Sequence, residues 1–247
     1  RLRERVAADH VVRGEGVRWF RRFLGEDQAR PIRHPLVPSA IGARTLGVSL
    51  SARPRDTAAT LIPGVGCPMG CNFCSTSAMF GGKGSFVNFY DTGDELYEVM
   101  SEMESAMGVR SFFVMDENFL LYKKRALELL DLMKAHGKSW SLYVFSSANV
   151  LSSYRREDLV RLGISWVWMG LEGEASQYAK LRGIDTRALV KDLQSHGIRV
   201  LGSSIIGLEE HTLDNIDQAI DFQLSDNEGR HEPQHMLAGP IDQNTSG

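Results

Sequence analysis

All three cysteines of this 247-residue chain, Cys67, Cys71 and Cys74, lie on one short stretch in the spacing C-x3-C-x2-C. Three thiols so close in sequence can turn their sulfurs toward a common centre without help from distant parts of the fold. A structural zinc ion takes four protein ligands. Three thiolates on a tight loop better suit a cubane iron–sulfur cluster with one iron left open to another ligand. Gly66, Pro68 and Gly70 suit a loop that folds back with its backbone close to that centre, and Phe73 places an aromatic ring beside it. Two other readings stay open. One is a zinc site completed by one of the seven histidines, disfavoured because no second ligand pair lies nearby. The other is a disulfide with a spare thiol, disfavoured because nothing marks the chain as secreted.

The elements that must position this loop follow from the apolar pattern. Ala59–Ile62 is a short apolar strand leading straight into the cysteines. Ser75–Tyr90, rich in glycine and aromatics, reads as a loop covering a ligand, and Asp94–Met107 carries Leu96, Val99, Met100 and Met103 at helical spacing. Four glycines, Gly108, Gly137, Gly163 and Gly197, are each expected to close a helix in the left-handed conformation. Each precedes a β-rich run: Val109–Met115, Trp140–Phe145, Ile164–Met169 and Ile198–Ile206. The runs read as continuous apolar strands buried on both faces. A helix at Leu213–Leu224 and a strand at Gln234–Ala238 complete six βα-type strands. A doubly wound open sheet is the structural alternative to a barrel.

Composition limits the function classes. At 43% hydrophobic, the chain can bury a large core. A net charge of −3 leaves no electrostatic footprint for nucleic acid. No apolar run approaches the ~20 residues needed to cross a bilayer, and no signal-peptide pattern is present, so a cytoplasmic location is expected. Arg13, Arg18, Arg21 and Arg22 are interrupted by acidic residues and read as a solvated helix face. The chain begins with Arg1 rather than Met and is expected to be a segment of something longer.

Cys67-x3-Cys71-x2-Cys74, with an aromatic just before the third cysteine, resembles the signature of the radical S-adenosylmethionine (SAM) superfamily. The resemblance implies a [4Fe-4S] cluster on the three cysteines and SAM chelated at the fourth iron. It also implies reductive cleavage of SAM to methionine and a 5′-deoxyadenosyl radical, with an electron donor such as flavodoxin or ferredoxin. The implied fold is α/β, a partial (β/α)6 TIM-like barrel over residues 59–247, open on one side. Upstream, a strand at Asp9–Arg13, the turn Gly14-Glu15-Gly16 and a helix at Val17–Leu24 resemble the last βα unit of a Rossmann-like cobalamin-binding domain. On that reading residues 1–28 end such a domain. Residues 29–58, with four prolines and one short strand at Thr45–Leu50, are a linker. An ordinary N-terminal βα extension is the alternative, and His10 is not assigned as an axial ligand.

The resemblance also places SAM at the C-terminal ends of the strands, where parallel α/β barrels do their chemistry. Beside Phe73, the second strand end offers Asp116, Glu117 and Asn118 to receive the methionine amino group, with a helix cap as the alternative role. The third offers Ser147. The fourth offers Glu172, in a run similar to the strand-four Gly-x-Glu of the cobalamin-linked subgroup, and, downstream, Arg182 as a partner for the SAM carboxylate, with a surface arginine as the alternative role. The fifth offers Ile205 and Gly207 against the adenine, with Glu210 expected to cap the next helix. His231 and His235 are candidates for substrate contact. The expected activity is cobalamin-dependent methylation of an unactivated carbon on a small-molecule or lipid-like substrate. The alternatives are a cobalamin-independent radical SAM enzyme modifying a peptide, RNA or small molecule, and a zinc-binding non-enzymatic module.

Overall fold

The structure, a computed structural model, describes residues 8–12, 16–31, 44–45, 48–49, 58–84, 86–171, 183–208, 211–212, 214–215, 217 and 234–237. Its centre is a six-stranded sheet built from β3 (Ala58–Leu61), β6 (Ser111–Val114), β7 (Ser141–Ser146), β8 (Ile164–Gly170), β9 (Arg199–Ile206) and β10 (Gln234–Leu237). Every neighbouring pair is parallel, and spatial order follows chain order from one edge to the other. A doubly wound sheet must reverse its strand order at a switch point. This one does not, and because every pair is parallel, all six strands send their C-terminal ends to one rim.

The helices between the strands begin and end where the sequence carries caps. In α3 (Gly93–Met107), Thr92 and Glu95 form a reciprocal capping box, and Gly108 closes the helix at φ 67°. Gly137, Gly163 and Gly197, after α4 (Lys123–Ala135), α6 (Arg156–Arg161) and α7 (Thr186–Ser195), also take positive φ. At Gly163 the need is also steric, because a Cβ would stand 1.9 Å from the Trp140 carbonyl oxygen. A short α5 (Ala148–Ser152) follows β7 directly.

The two faces of the sheet differ. Leu61, Phe112, Val114, Leu142, Val144, Val167 and Met169 are buried on the helix side with Leu96, Met100, Met103, Leu129, Leu130 and Met133 of α3 and α4. On the other side Phe113, Tyr143, Phe145, Trp166 and Trp168 are only half-buried. The strands therefore alternate, in contrast to the expectation of burial on both faces. Large rings line that second face.

Other expectations are corrected locally. Residues 10–12 form no strand. In the proline-rich stretch, β1 (Arg44–Thr45) and β2 (Val48–Ser49) pair antiparallel, replacing the single strand expected there. Ser75–Tyr90 is not one loop, since it holds α2 (Ser75–Phe80) and β5 (Phe86–Asn88). Helix α1 (Val17–Phe23) forms as expected, but none of its residues is buried; Trp19 stacks on Phe23 at 5.3 Å, and His10 rests against both rings. The expected helix at Leu213–Leu224 lies almost wholly outside the described residues.

Candidate active site

The cysteine loop is held by a clasp that the sequence does not announce. After β3 the chain forms β4 (Gly64–Gly66), which pairs antiparallel with β5 in the register Gly64↔Asn88, Val65↔Val87, Gly66↔Phe86. The loop and α2 are thus an insertion between two paired strands. Gly84 N–H closes the insertion onto the Pro68 carbonyl at 3.2 Å. Gly66 and Gly70 both take positive φ, as a fold-back loop requires. At Gly70 the backbone also passes so close to Lys83 that a Cβ would lie 2.4 Å from the lysine Cβ.

Cys67, Cys71 and Cys74 are half-buried and free of disulfides. Burial pushes the Cys67 thiol above its ordinary range. A backbone hydrogen bond from Met69 pulls the other way, and charge on Cys71, Cys74 and Glu117 pushes it further up. The three sulfurs and Glu117 therefore share one electrostatic neighbourhood. Among the described residues no three His, Cys, Asp or Glu side chains are placed to hold a single metal ion. A cluster spaces its thiolates more widely, because each binds a different iron. The donor set, three thiols on one loop with no fourth protein ligand among the described residues, fits that group. Two buried oxygens without hydrogen-bond partners follow the strand ends: Ser77 Oγ in α2, after the cysteine loop, and Asn149 Oδ1 in α5, after β7.

The second strand end separates its three candidates. Asp116 is 4% exposed and Arg125, from α4, 2%; the guanidinium donates to Asp116 Oδ2 at 2.8 Å and to the Tyr90 carbonyl at 3.0 Å. Asp116 Oδ1 accepts from the Asn118 backbone N–H. The Asn118 side chain then donates to Ser147 Oγ at 3.0 Å and accepts from Ser146 Oγ at 3.1 Å. This buried relay stitches β6 to β7. Asp116, Asn118 and Ser147 are therefore spent on the frame. Glu117 alone turns its carboxylate out, with a hydrogen bond from Thr76 of α2. Burial and the Asp116 charge raise its pKa, and the Thr76 bond offsets part of that.

Beyond β9, Gly207 takes φ 94°, and the backbone N–H groups of Gly207 and Leu208 both donate to His211 Nδ1, at 3.1 and 3.3 Å. Ile205 is half-buried one residue before the strand ends. Phe73 is half-buried beside the third cysteine. Glu172, Arg182, Glu210 and His231 lie outside the described residues. His235 lies on β10 opposite Ser204, its side chain likewise outside them. Sequence reasoning missed Thr76, Arg125 and His211. Arg125 meets Asp116 only because α4 folds back over the strand end, so no local spacing betrays the pair.

Residues 61–222 match the radical SAM superfamily, from the end of β3 through the cysteine loop and beyond β9. Among curated relatives, the chain is 27% identical over 164 residues to an uncharacterised methyltransferase of Pyrococcus horikoshii, covering 64% of this chain and 34% of that protein. It is 25% identical over 166 residues to the bacteriochlorophyllide d C-12(1)-methyltransferase of Chlorobaculum tepidum, covering 64% and 35%. The same organism's bacteriochlorophyllide d C-8(2)-methyltransferase is 27% identical over 168 residues, covering 64% and 37%. The chain thus spans about a third of the length of these relatives. The crystal structure of methylornithine synthase superposes over 74% of this chain and 53% of its own, at 16% identity and a TM-score of 0.44. That score is too low to carry an argument. The match of the family across most of the described sheet, with all three cysteines inside it, leaves one conclusion: this chain belongs to the radical SAM superfamily.

Proposed function

We propose that this chain is the catalytic core of a radical SAM methyltransferase acting on an unactivated carbon, with cobalamin as methyl carrier. The observation that carries the reading is the shared neighbourhood of the three thiols and the outward carboxylate of Glu117. Cys67, Cys71 and Cys74 would hold the cluster, and the six-stranded sheet would form the partial barrel around it. The group, when bound, supplies the electron that cleaves SAM to methionine and a 5′-deoxyadenosyl radical, and cobalamin the methyl group.

The chain's own residues bind, orient and shield. Glu117 receives the ammonium of the methionine moiety by a charge-assisted hydrogen bond. Thr76 holds that carboxylate from the side of the cysteine loop, and the Arg125–Asp116–Asn118 relay holds the backbone beneath it. Phe73 keeps water from the loop, Asn149 Oδ1 accepts from a ribose hydroxyl, and Ile205 and Gly207 lie against the adenine. Glu172 and Arg182 remain proposed contacts to SAM, and His231 and His235 to substrate. An electron donor of the flavodoxin or ferredoxin type is proposed with them. Two relatives are named for methylation at carbon positions of bacteriochlorophyllide d, which supports carbon methylation here.

Anaerobic reconstitution tests the core of this reading. The expected result is about four irons with matching sulfide per chain. Dithionite should then release 5′-deoxyadenosine from SAM, and Cys67→Ala, Cys71→Ala or Cys74→Ala should abolish it. One bound zinc with no iron would overturn it. Methyl transfer from methylcobalamin is assayed in the longer protein, and its failure with SAM cleavage intact would favour the cobalamin-independent alternative.

A further inference from the structure

The rings on the face of the sheet away from α3 and α4 have no task in the reading above. Tyr143 of β7 lies opposite Phe113 of β6 and Trp166 of β8, with ring centroids at 5.0 and 5.8 Å. One layer nearer the strand ends, Phe145 stacks on Trp168 at 5.2 Å and 27°, and reaches Phe113 at 5.8 Å. Five aromatic side chains thus form one wall across three neighbouring strands. The wall leads up toward the rim that carries the cysteine loop.

The wall is unlike a filled barrel interior. Barrel interiors are packed in layers of mainly branched aliphatic side chains. Here the rings are only partly buried, whereas their neighbours on the same strands, Phe112, Val114, Leu142, Val144 and Val167, are at most 1% exposed. The wall's polar groups are largely satisfied from within. Trp168 Nε1 donates to Ser203 Oγ at 3.0 Å, and Ser141 Oγ donates to Ser165 Oγ at 2.8 Å. A peptide would bring backbone donors and acceptors that need partners, and the wall offers few. A flat conjugated ring system brings a π face, which pairs with aromatic rings at centroid distances of roughly 4.5–7 Å.

One charge completes the surface. Arg199 of β9, opposite Trp166 and exposed, holds its guanidinium 5.1 Å from that ring. Among the described residues no carboxylate pairs with it. A cation at the edge of an apolar wall complements an acid group on an otherwise flat apolar molecule.

We propose that the aromatic wall of β6, β7 and β8, with Arg199, binds a planar conjugated substrate carrying a carboxylate. Its ring system lies against Phe145 and Trp168, and its acid meets Arg199. The inference rests on the radical SAM reading only for what is then done to that substrate.

Protoporphyrin IX, flat and dicarboxylic, serves as the probe, titrated into the full chain and followed by its own visible absorbance. Saturable binding is expected. Trp168→Leu should weaken it about tenfold, whereas Trp168→Phe should keep it within about twofold, because stacking rather than mere apolarity is removed. Arg199→Gln should weaken the acid but leave its dimethyl ester unchanged. Thermal melts of each variant report folding, and the Trp168→Phe and ester arms stand even if Trp168→Leu unfolds. No saturable binding, equal affinity in the wild type and Trp168→Leu, or displacement by palmitate or oligouridylate would overturn the proposal. Formation of 5′-deoxyadenosine without substrate is measured alongside. Its persistence without porphyrin binding sinks the wall alone, and its loss with porphyrin binding intact sinks the radical SAM reading alone.

Discussion

Glu117 differs from Asp116 and Asn118 in what burial leaves it free to do. Its neighbours spend their side chains on the relay from Arg125 to Ser147, while its carboxylate faces the cysteine loop. Glu117→Ala is therefore expected to weaken SAM binding at least about tenfold in calorimetry, the loss of one charge-assisted bond, with iron content unchanged. Arg125 has the opposite character. Removing it leaves the Asp116 carboxylate buried and uncompensated, so Arg125→Ala should destabilise by about 3–5 kcal/mol in urea unfolding. Equal stability of the two proteins would show that the relay is ornamental.

Among the elements, the β4–β5 clasp governs the site and the α3 cap governs a scaffold helix. Gly70 combines φ 68° with a backbone packed on Lys83, so no side chain fits without moving the loop. Gly70→Ala should cut iron incorporation on reconstitution while leaving the far-UV circular dichroism unchanged. A fully loaded variant would refute the fit. Thr92→Ala removes one half of the capping box of α3, which is expected to cost about 1 kcal/mol of stability without touching iron content. The helical glycines were readable because each sits at the end of a 3.6-period run. The clasp was not, because β4 and β5 are three residues each and separated by the whole cysteine insertion.

Across the whole molecule, one carboxylate helps tie the rim opposite the site. Glu104 of α3 accepts from Lys138 Nζ at 2.5 Å and from Trp140 Nε1 at 3.2 Å, and meets Arg110 at 3.5 Å. Burial alone would raise its pKa, but the hydrogen bonds from Lys138 and Trp140 and the nearby cations outweigh it and hold it below the ordinary value near 4.5. A carboxyl lowered on folding contributes stability that is present above its unfolded pKa and lost as pH falls through the folded one. Glu104→Gln should thus be less stable than wild type at pH 7, with the gap closing below about pH 4.5. A gap that is constant with pH would show the pairs contribute nothing electrostatic.

The chain's local order determined much of this protein by itself. Cysteine spacing, glycine punctuation and apolar period are short-range features, and they were enough for the thiol loop, the βα rhythm and six strands. Tertiary structure decided what depends on residues distant in sequence. Only the folded sheet shows that its strands run in unreversed order, that one face keeps its aromatic rings only partly buried, and that Arg125 claims Asp116. Spacing can say which residues share a loop or a face. Which carboxylate is spent inside and which is left for a ligand depends on desolvation and on donors arriving from another element, and no stretch of sequence contains both.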